Sequence, residues 1–192
     1  MDDGSVSSCL AVDIRIEILQ WLETLPEVEQ VCRAAAFAAV ATGWRRRNGK
    51  GRLFPLPDSL PDEGLELAIL LADDVWVRDL NRDYRGMDQP TNVLSFAALD
   101  APDEPSCPGE PLALGDVVLA LQTIQREAEQ RAIPLADHLR HLVIHGVLHL
   151  LGYDHQEDDT AEVMEQLEVR ILAELGVDNP YIDPGVATAK QL

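Results

Sequence analysis

From Leu135 to Leu151 the chain reads LADHLRHLVIHGVLHLL, a run in which Asp137 and Arg140 are the only charged residues apart from histidine. A helix of this composition is apolar nearly all round, so it belongs at the centre of a domain and not on its surface. At 3.6 residues per turn, His138, His141, His145 and His149 fall on one narrow stripe of that helix. Buried imidazoles cost stability unless they are partnered, so the neighbouring elements must supply hydrogen bonds, or a metal must.

The elements around this helix are readable from period and punctuation. Val12–Ile18 alternates apolar and charged residues and reads as a half-buried strand. Pro26 opens a helix through Val31 and Ala34–Ala41 that closes near Gly43. The Arg-, Pro- and Gly-rich stretch Gly43–Gly64 reads as a loop. Leu65–Ala72 is a second strand, and Asp73 or Asp74 caps a helix through Trp76 and Leu80 that Gly86 closes. Thr91–Phe96 and Leu114–Leu121 are the third and fourth strands, separated by an acidic loop from Asp100 to Glu110. A polar helix over Gln122–Arg131 and an amphipathic one over Asp158–Leu175 complete the set. Strands mixed with helices in one small chain predict an α+β fold: a small mixed four-stranded sheet packed with helices around the central buried helix. The expected organisation is a flexible N-terminus over 1–10, a single domain over 11–176 and an irregular tail over 177–192.

Length and composition agree with one soluble domain. The chain has 192 residues, 46% of them apolar and 26% charged. No apolar run is long enough to span a membrane, and Met1-Asp2-Asp3-Gly4 does not read as a secretory signal. Cys9, Cys32 and Cys107 are odd in number and widely spaced, which suggests a reducing cytoplasm and makes them poor zinc ligands.

All five histidines lie between His138 and His155. His145 and His149 are one turn apart and can share a metal. Gly152 can take the left-handed conformation that ends the helix, and the turn Gly152-Tyr153-Asp154 would return His155 to the same point. Three nitrogen ligands with a position left open are the catalytic zinc arrangement, whereas structural zinc sites are closed by four protein ligands. The spacing His-x3-His-x5-His is zincin-like, shared with the metzincin peptidases, but the residue after the first histidine is Gly146 where those enzymes carry a glutamate base. The ligand spacing is kept and the peptidase machinery is not. His138 and His141 read as hydrogen-bonded packing residues, with His141 also placed to support a ligand or face a substrate. Asp154 can orient a ligand ring or simply make the turn, and Tyr153 can stack on a base or fill the core.

The segment His145-Gly-Val-Leu-His149-Leu-Leu-Gly-Tyr-Asp-His155 resembles the signature of the YbeY family of ribosomal-RNA maturation endoribonucleases. Leu80–Phe96, LNRDYRGMDQPTNVLSF, resembles that family's second hallmark, and Leu114-Gly115-Asp116-Val117-Val118 a third. The resemblance spans Leu65 to Gly176. It implies a metal-dependent, single-strand-directed endoribonuclease of 16S rRNA 3′-end maturation and ribosome quality control. One Zn²⁺ on His145, His149 and His155, a functional role for Arg85, and the small ribosomal subunit with its assembly factors as partners are further implications. Ala97 stands where the family usually has proline, and Leu119-Ala120 where a Cys-Pro pair is expected.

Charge pulls the other way. The chain carries 34 acidic against 15 basic residues, a formal net charge of −19, whereas RNA affinity is drawn from Lys and Arg on phosphates. Two concentrations soften the conflict. Arg45, Arg46, Arg47, Lys50 and Arg52 follow Trp44, and this cluster reads equally as solvated charge or as an RNA contact. Arg78, Arg82 and Arg85 share one helix face and, with the metal, form the expected approach surface for RNA. Arg85 has a planar fork suited to a phosphate; position alone reads equally as a surface arginine before a helix-ending glycine. Asn92 and Ser95 can hydrogen-bond substrate along an exposed strand edge, but read more readily as ordinary strand-end residues. Two other functions compete: a metallopeptidase, against which Gly146 speaks, and a non-enzymatic ribosome-assembly factor whose zinc only holds the fold.

Overall fold

The computed structural model describes residues 9–45, 60–98, 109–155 and 157–182. The elements run β1 (Leu10–Ile16), α1 (Gln20–Thr24), α2 (Val28–Arg45), β2 (Leu65–Ala72), α3 (Asp74–Arg85), β3 (Val93–Ala97), β4 (Leu112–Ala120), α4 (Leu121–Arg131), α5 (Leu135–Leu150) and α6 (Asp158–Glu174). The four strands form one mixed sheet in the order β1-β2-β4-β3. β1 and β4 flank β2 in parallel, and β3 pairs antiparallel with β4. The expected α+β architecture is present.

Strand alternation divides the helices between two layers. Leu67, Ile69, Leu71, Val117 and Leu119 point to one face, where they join α2, α5 and α6 in the main core. Leu94 and Val118 point to the other, where they form a smaller core with Val77 of α3. Helix α5 is the centre of the larger layer, in contact with β3, β4, α2, α4 and α6. Its Leu139, Val143, Ile144, Val147, Leu148 and Leu150 are wholly buried, and each such side chain contributes about 2 kcal/mol relative to exposure. The apolar run therefore leaves α5 no stable place except between the sheet and the outer helices.

Two glycines allow the close approaches this layering needs. The β2–β4 register skips Leu114, so that Glu66 faces Ala113 and Leu67 faces Gly115. Gly115 takes φ 125°, and a Cβ there would lie 2.0 Å from the Phe96 carbonyl oxygen; the bulge accepts only glycine. On α5, a Cβ on Gly146 would lie 2.8 Å from Val117 Cγ1 and 3.1 Å from Ser95 Oγ. The residue after the first histidine thus points into the sheet. A glutamate there would have to push β3 and β4 away, which is a structural reason for its absence.

Several boundaries differ from the sequence reading. β1 starts two residues early and stops at Ile16, because the unforeseen helix α1 follows. Trp21 of α1 is fully buried and its Nε1–H donates to the Ala72 carbonyl at 2.9 Å, turning the chain under the end of β2. α2 does not close at Gly43 but runs on to Arg45. Gly43 is a packing glycine, with space for a Cβ blocked by Leu151 Cδ1 at 2.7 Å, and its carbonyl accepts from the Tyr153 hydroxyl at 2.9 Å. The arginine cluster beyond Arg45, the acidic loop at 99–108 and Cys107 lie outside the described residues. Trp44, which precedes that cluster in the sequence, is buried in the main core. Asp73 and Gly86 act as expected: Asp73 Oδ1 accepts the Trp76 amide at 2.8 Å, and Gly86 closes α3 at φ 70°. Among the described residues no helix is long and apolar enough to cross a membrane.

Candidate metal centre

The last turn of α5 and the chain reversal after it assemble the histidines. Gly152 takes φ 84°, its amide donates to the His149 carbonyl at 2.9 Å, and the Tyr153 amide reaches back to the Leu148 carbonyl at 3.0 Å. These bonds satisfy carbonyls left open at the helix end. Tyr153 is buried and tied to α2 through Gly43, so it fills the core and is not available to stack on a base. Asp154 Oδ1 accepts the His155 amide at 2.8 Å, so this carboxylate makes the turn. The outcome is three imidazoles whose ligand atoms lie within 4.8 Å of one another: His145, His149 and His155. Their ring centroids are 4.6, 5.0 and 5.3 Å apart.

Hydrogen bonds fix which nitrogen each α5 ligand presents. His145 Nδ1 meets Glu168 Oε1 at 2.8 Å, and His149 Nδ1 meets the Tyr153 carbonyl at 3.0 Å. A carboxylate and a carbonyl only accept, so both Nδ1 atoms carry the proton and both Nε2 atoms present lone pairs. Those two Nε2 atoms stand 3.1 Å apart. Two facing lone pairs with no proton between them repel, and a shared cation removes the conflict. The His149 ring does not resolve it by protonation at neutral pH, because burial, with the His145 and His155 charges added, lowers its pKa to about 4. This donor set fits a metal ion, with neutral imidazoles of the kind zinc takes.

Glu168 is the residue that sequence reasoning missed. It sits on α6 with 1% of its surface exposed, and it also accepts from His141 Nε2 at 3.0 Å and from the Tyr181 hydroxyl. Burial alone would raise its pKa, but the His141 and His145 hydrogen bonds outweigh it and hold the carboxyl at about 2. Tyr181 is pushed up by burial and by Glu168, so its hydroxyl remains a donor. In the sequence Glu168 is one more acidic residue of an amphipathic helix; its one distinguishing sign is that it shares a face with Met164, Leu167, Ile171 and Leu172, all buried. His138 is partnered separately, its Nε2 lying 2.7 Å from Glu127 Oε2. Glu127 also accepts from Asn92, whose own Oδ1 caps the Val93 amide, so Asn92 is a strand-end residue as read. His141 shares the Glu168 carboxylate with His145.

Two relatives match the chain nearly end to end. A protein of Paramagnetospirillum magneticum named Endoribonuclease YbeY is 51% identical over 172 residues, covering 90% of this chain and 94% of its own. Its namesake in Azorhizobium caulinodans is 43% identical over 175 residues, covering 91% and 98%; that in Rhodospirillum rubrum is 50% identical over 163 residues, covering 85% and 77%. The family model described as Endoribonuclease YbeY matches residues 56–176. The chain belongs to the YbeY family. The family match embraces β2 through α6, and so contains all three histidines, Glu168 and Arg85.

Arg85 is not brought into the histidine cluster. It is the last residue of α3, whose Val77 packs on the opposite face of the sheet from α5, and it is exposed and, among the described residues, without an ion-pair partner. The expected three-arginine face is mostly neutralised. Arg78 grips Asp88 through two bonds of 2.7 and 2.8 Å, and Arg82 bonds Asp79 and Asp83 at 2.7 and 3.0 Å. These carboxylates are spaced to reach the guanidinium groups from the same helix and the loop after it, a pairing that the arginine spacing alone concealed.

Proposed function

We propose that this YbeY-family chain is a zinc-dependent endoribonuclease acting on single-stranded regions of ribosomal RNA in the cytoplasm, in 16S 3′-end maturation and quality control of the small subunit. The observation that carries the metal is the pair of Nε2 lone pairs facing each other at 3.1 Å, with His155 completing the set. His145, His149 and His155 would hold one Zn²⁺. When bound, the ion supplies Lewis acidity and neutralises charge on a phosphodiester. The chain's own contributions are separate. Glu168 and the Tyr153 carbonyl hold the imidazoles in their ligating tautomer, and the turn at Gly152–Asp154 brings His155 within reach.

Arg85 is the residue we assign to the phosphate. Unlike Arg78 and Arg82, its guanidinium has no carboxylate partner among the described residues, and a planar fork binds phosphate oxygens in pairs. RNA substrate and endonuclease chemistry come from the relatives' shared name. The zincin-like ligand spacing does not favour peptide cleavage, since position 146 packs against β3 and β4. The acidity of the chain fits weak intrinsic RNA affinity, with ribosomal partners delivering the substrate.

Metal analysis coupled to cleavage of single-stranded rRNA, on wild type and His149→Ala, tests the reading. Wild type should carry one zinc per chain and cut, and the variant should do neither. Cleavage that survives the loss of the metal would sink it.

A further inference from the structure

Glu168 poses a question that packing does not answer. Its neighbours on α6, Leu167, Ile171 and Leu172, are wholly buried, and an apolar side chain would serve that face as well. A carboxylate in such surroundings is costly unless its oxygens are filled. Here they are, unevenly. Among the described residues Oε1 faces His145 Nδ1 alone, whereas Oε2 receives both His141 Nε2 and the Tyr181 hydroxyl. Two donors on Oε2 hold the carboxylate plane, which leaves Oε1 aimed at the ligand ring. His141 is itself held edge-on between the rings of His145 and Tyr181, with centroids 6.4 and 5.7 Å away.

Tyr181 comes from an unexpected part of the chain. It lies five residues beyond Gly176, where the family match ends. The segment is brought back by specific bonds. Gly176 takes φ 73°, the Val177 amide returns to the Leu172 carbonyl at 2.9 Å, Arg131 at the end of α4 donates to the Pro180 carbonyl, and the Tyr181 amide donates to Asn179 Oδ1 at 2.9 Å. Tyr181 as a residue is 47% exposed, so it adds little to the core. Its hydroxyl is the part that reaches inside.

We propose that Glu168 and Tyr181 are positioning residues of the histidine site: Glu168 fixes the ring of His145, and Tyr181, from beyond α6, fixes Glu168. The segment after α6 is then part of the site and not an inert tail. This rests on the reading that the three histidines hold a metal.

The test is a double-mutant cycle on the full chain, with Zn²⁺ affinity from chelator competition and the visible spectrum of the Co²⁺-loaded protein as readouts. Glu168→Gln keeps shape and size, and should weaken Zn²⁺ binding about tenfold or more, the usual effect of removing a ligand's hydrogen-bond partner. Tyr181→Phe keeps the ring on His141 and should weaken it less, with a shifted Co²⁺ spectrum. The double variant should lose no more than Glu168→Gln alone, because Tyr181 acts through Glu168. Additive losses, or a Tyr181→Phe protein with wild-type affinity and spectrum, would overturn the proposal. Should Glu168→Gln not fold, the Tyr181→Phe affinity and spectrum decide it. Wild type failing to bind Zn²⁺ would instead break the metal reading beneath it.

Discussion

Helices α5 and α3 each carry part of a hallmark segment, and they hold their polar residues in opposite ways. On α5 the histidines are buried or half-buried, and His138, His141, His145 and His149 each have a partner on another element or in the turn beyond it: Glu127, Glu168 or the Tyr153 carbonyl. On α3 the arginines are exposed, and two of the three are paired with carboxylates of their own helix or of the loop that follows it. The first arrangement depends on the whole fold, since moving α6 or the Gly152 turn would unmake it. The second depends on little more than α3. Buried partners fix geometry because an unpaired group has no water to fall back on; exposed pairs are screened and contribute little. The metal site we propose thus sits where geometry is fixed by the fold, and the phosphate contact we propose sits where a side chain is free to move.

The sharpest way to break this contrast is to remove a ligand. His149→Ala should lose stoichiometric zinc and all measurable RNA cleavage while the circular dichroism of the folded chain persists; retained metal would mean that the cluster is not the site. Next is the packing beneath the ligands. Gly146→Glu, which restores the peptidase glutamate, should destabilise by about 3 kcal/mol in urea melts, as overpacking against Val117 and Ser95 requires, and should gain no proteolytic activity. A variant as stable as wild type would show that β3 and β4 yield freely at α5.

Arg85→Ala should lower rRNA cleavage about tenfold, the scale of losing a hydrogen bond between a guanidinium and a substrate phosphate. Its zinc content and urea midpoint should stay at wild-type values. Normal cleavage would return Arg85 to the plain surface residue its exposure allows.

Acid should then weaken the buried layer of α5 and α6 in the metal-free chain. His149 lies at about 4 against an ordinary 6.5, and Glu168 at about 2 against an ordinary 4.5. Both are lower in the folded state, so the unfolded chain binds more protons over these intervals and stability drains away as pH falls. The His149 contribution is lost between pH 6.5 and about 4, and that of Glu168 between pH 4.5 and about 2. A urea midpoint that stays flat from pH 7 to pH 4 would contradict the burial of His149. Smallest of all, Asp88→Ala should release Arg78 with no shift in the melt beyond error, and a large loss of stability would mean that the α3 pairs do more than their exposure implies.

The elements legible in the sequence are those whose signals are local. β2 is bounded by its alternation at Leu65 and Ala72, α3 by an aspartate cap at Asp73 or Asp74 and by Gly86, and the closing turn of α5 by Gly152; all three stand in the structure, with Asp73 as the cap. The elements misread are those where a distant contact decides. Gly43 carries the composition of a helix end, yet it sits inside α2 because Leu148, Leu151 and Tyr153 press against it. Trp44 stands beside a basic cluster in sequence and is buried by the main core. Asp79, Asp83 and Asp88 are as visible in the sequence as the arginines, but only side-chain geometry shows which guanidinium they occupy.

The same division holds at the site. Periodicity and one glycine were enough to place His145, His149 and His155 together, because four residues per turn and a left-handed cap are properties of the backbone near each residue. Whether those imidazoles are ready to ligate is a different matter. Their tautomers are decided by Glu168 and by the Tyr153 carbonyl, and Glu168 by Tyr181, groups that neither the 3.6-residue period nor local turn chemistry links to the ligand stripe. Packing of α6 and of the segment after it across α5 brings them there, and that packing is cooperative over the whole core, which no local stretch of sequence encodes.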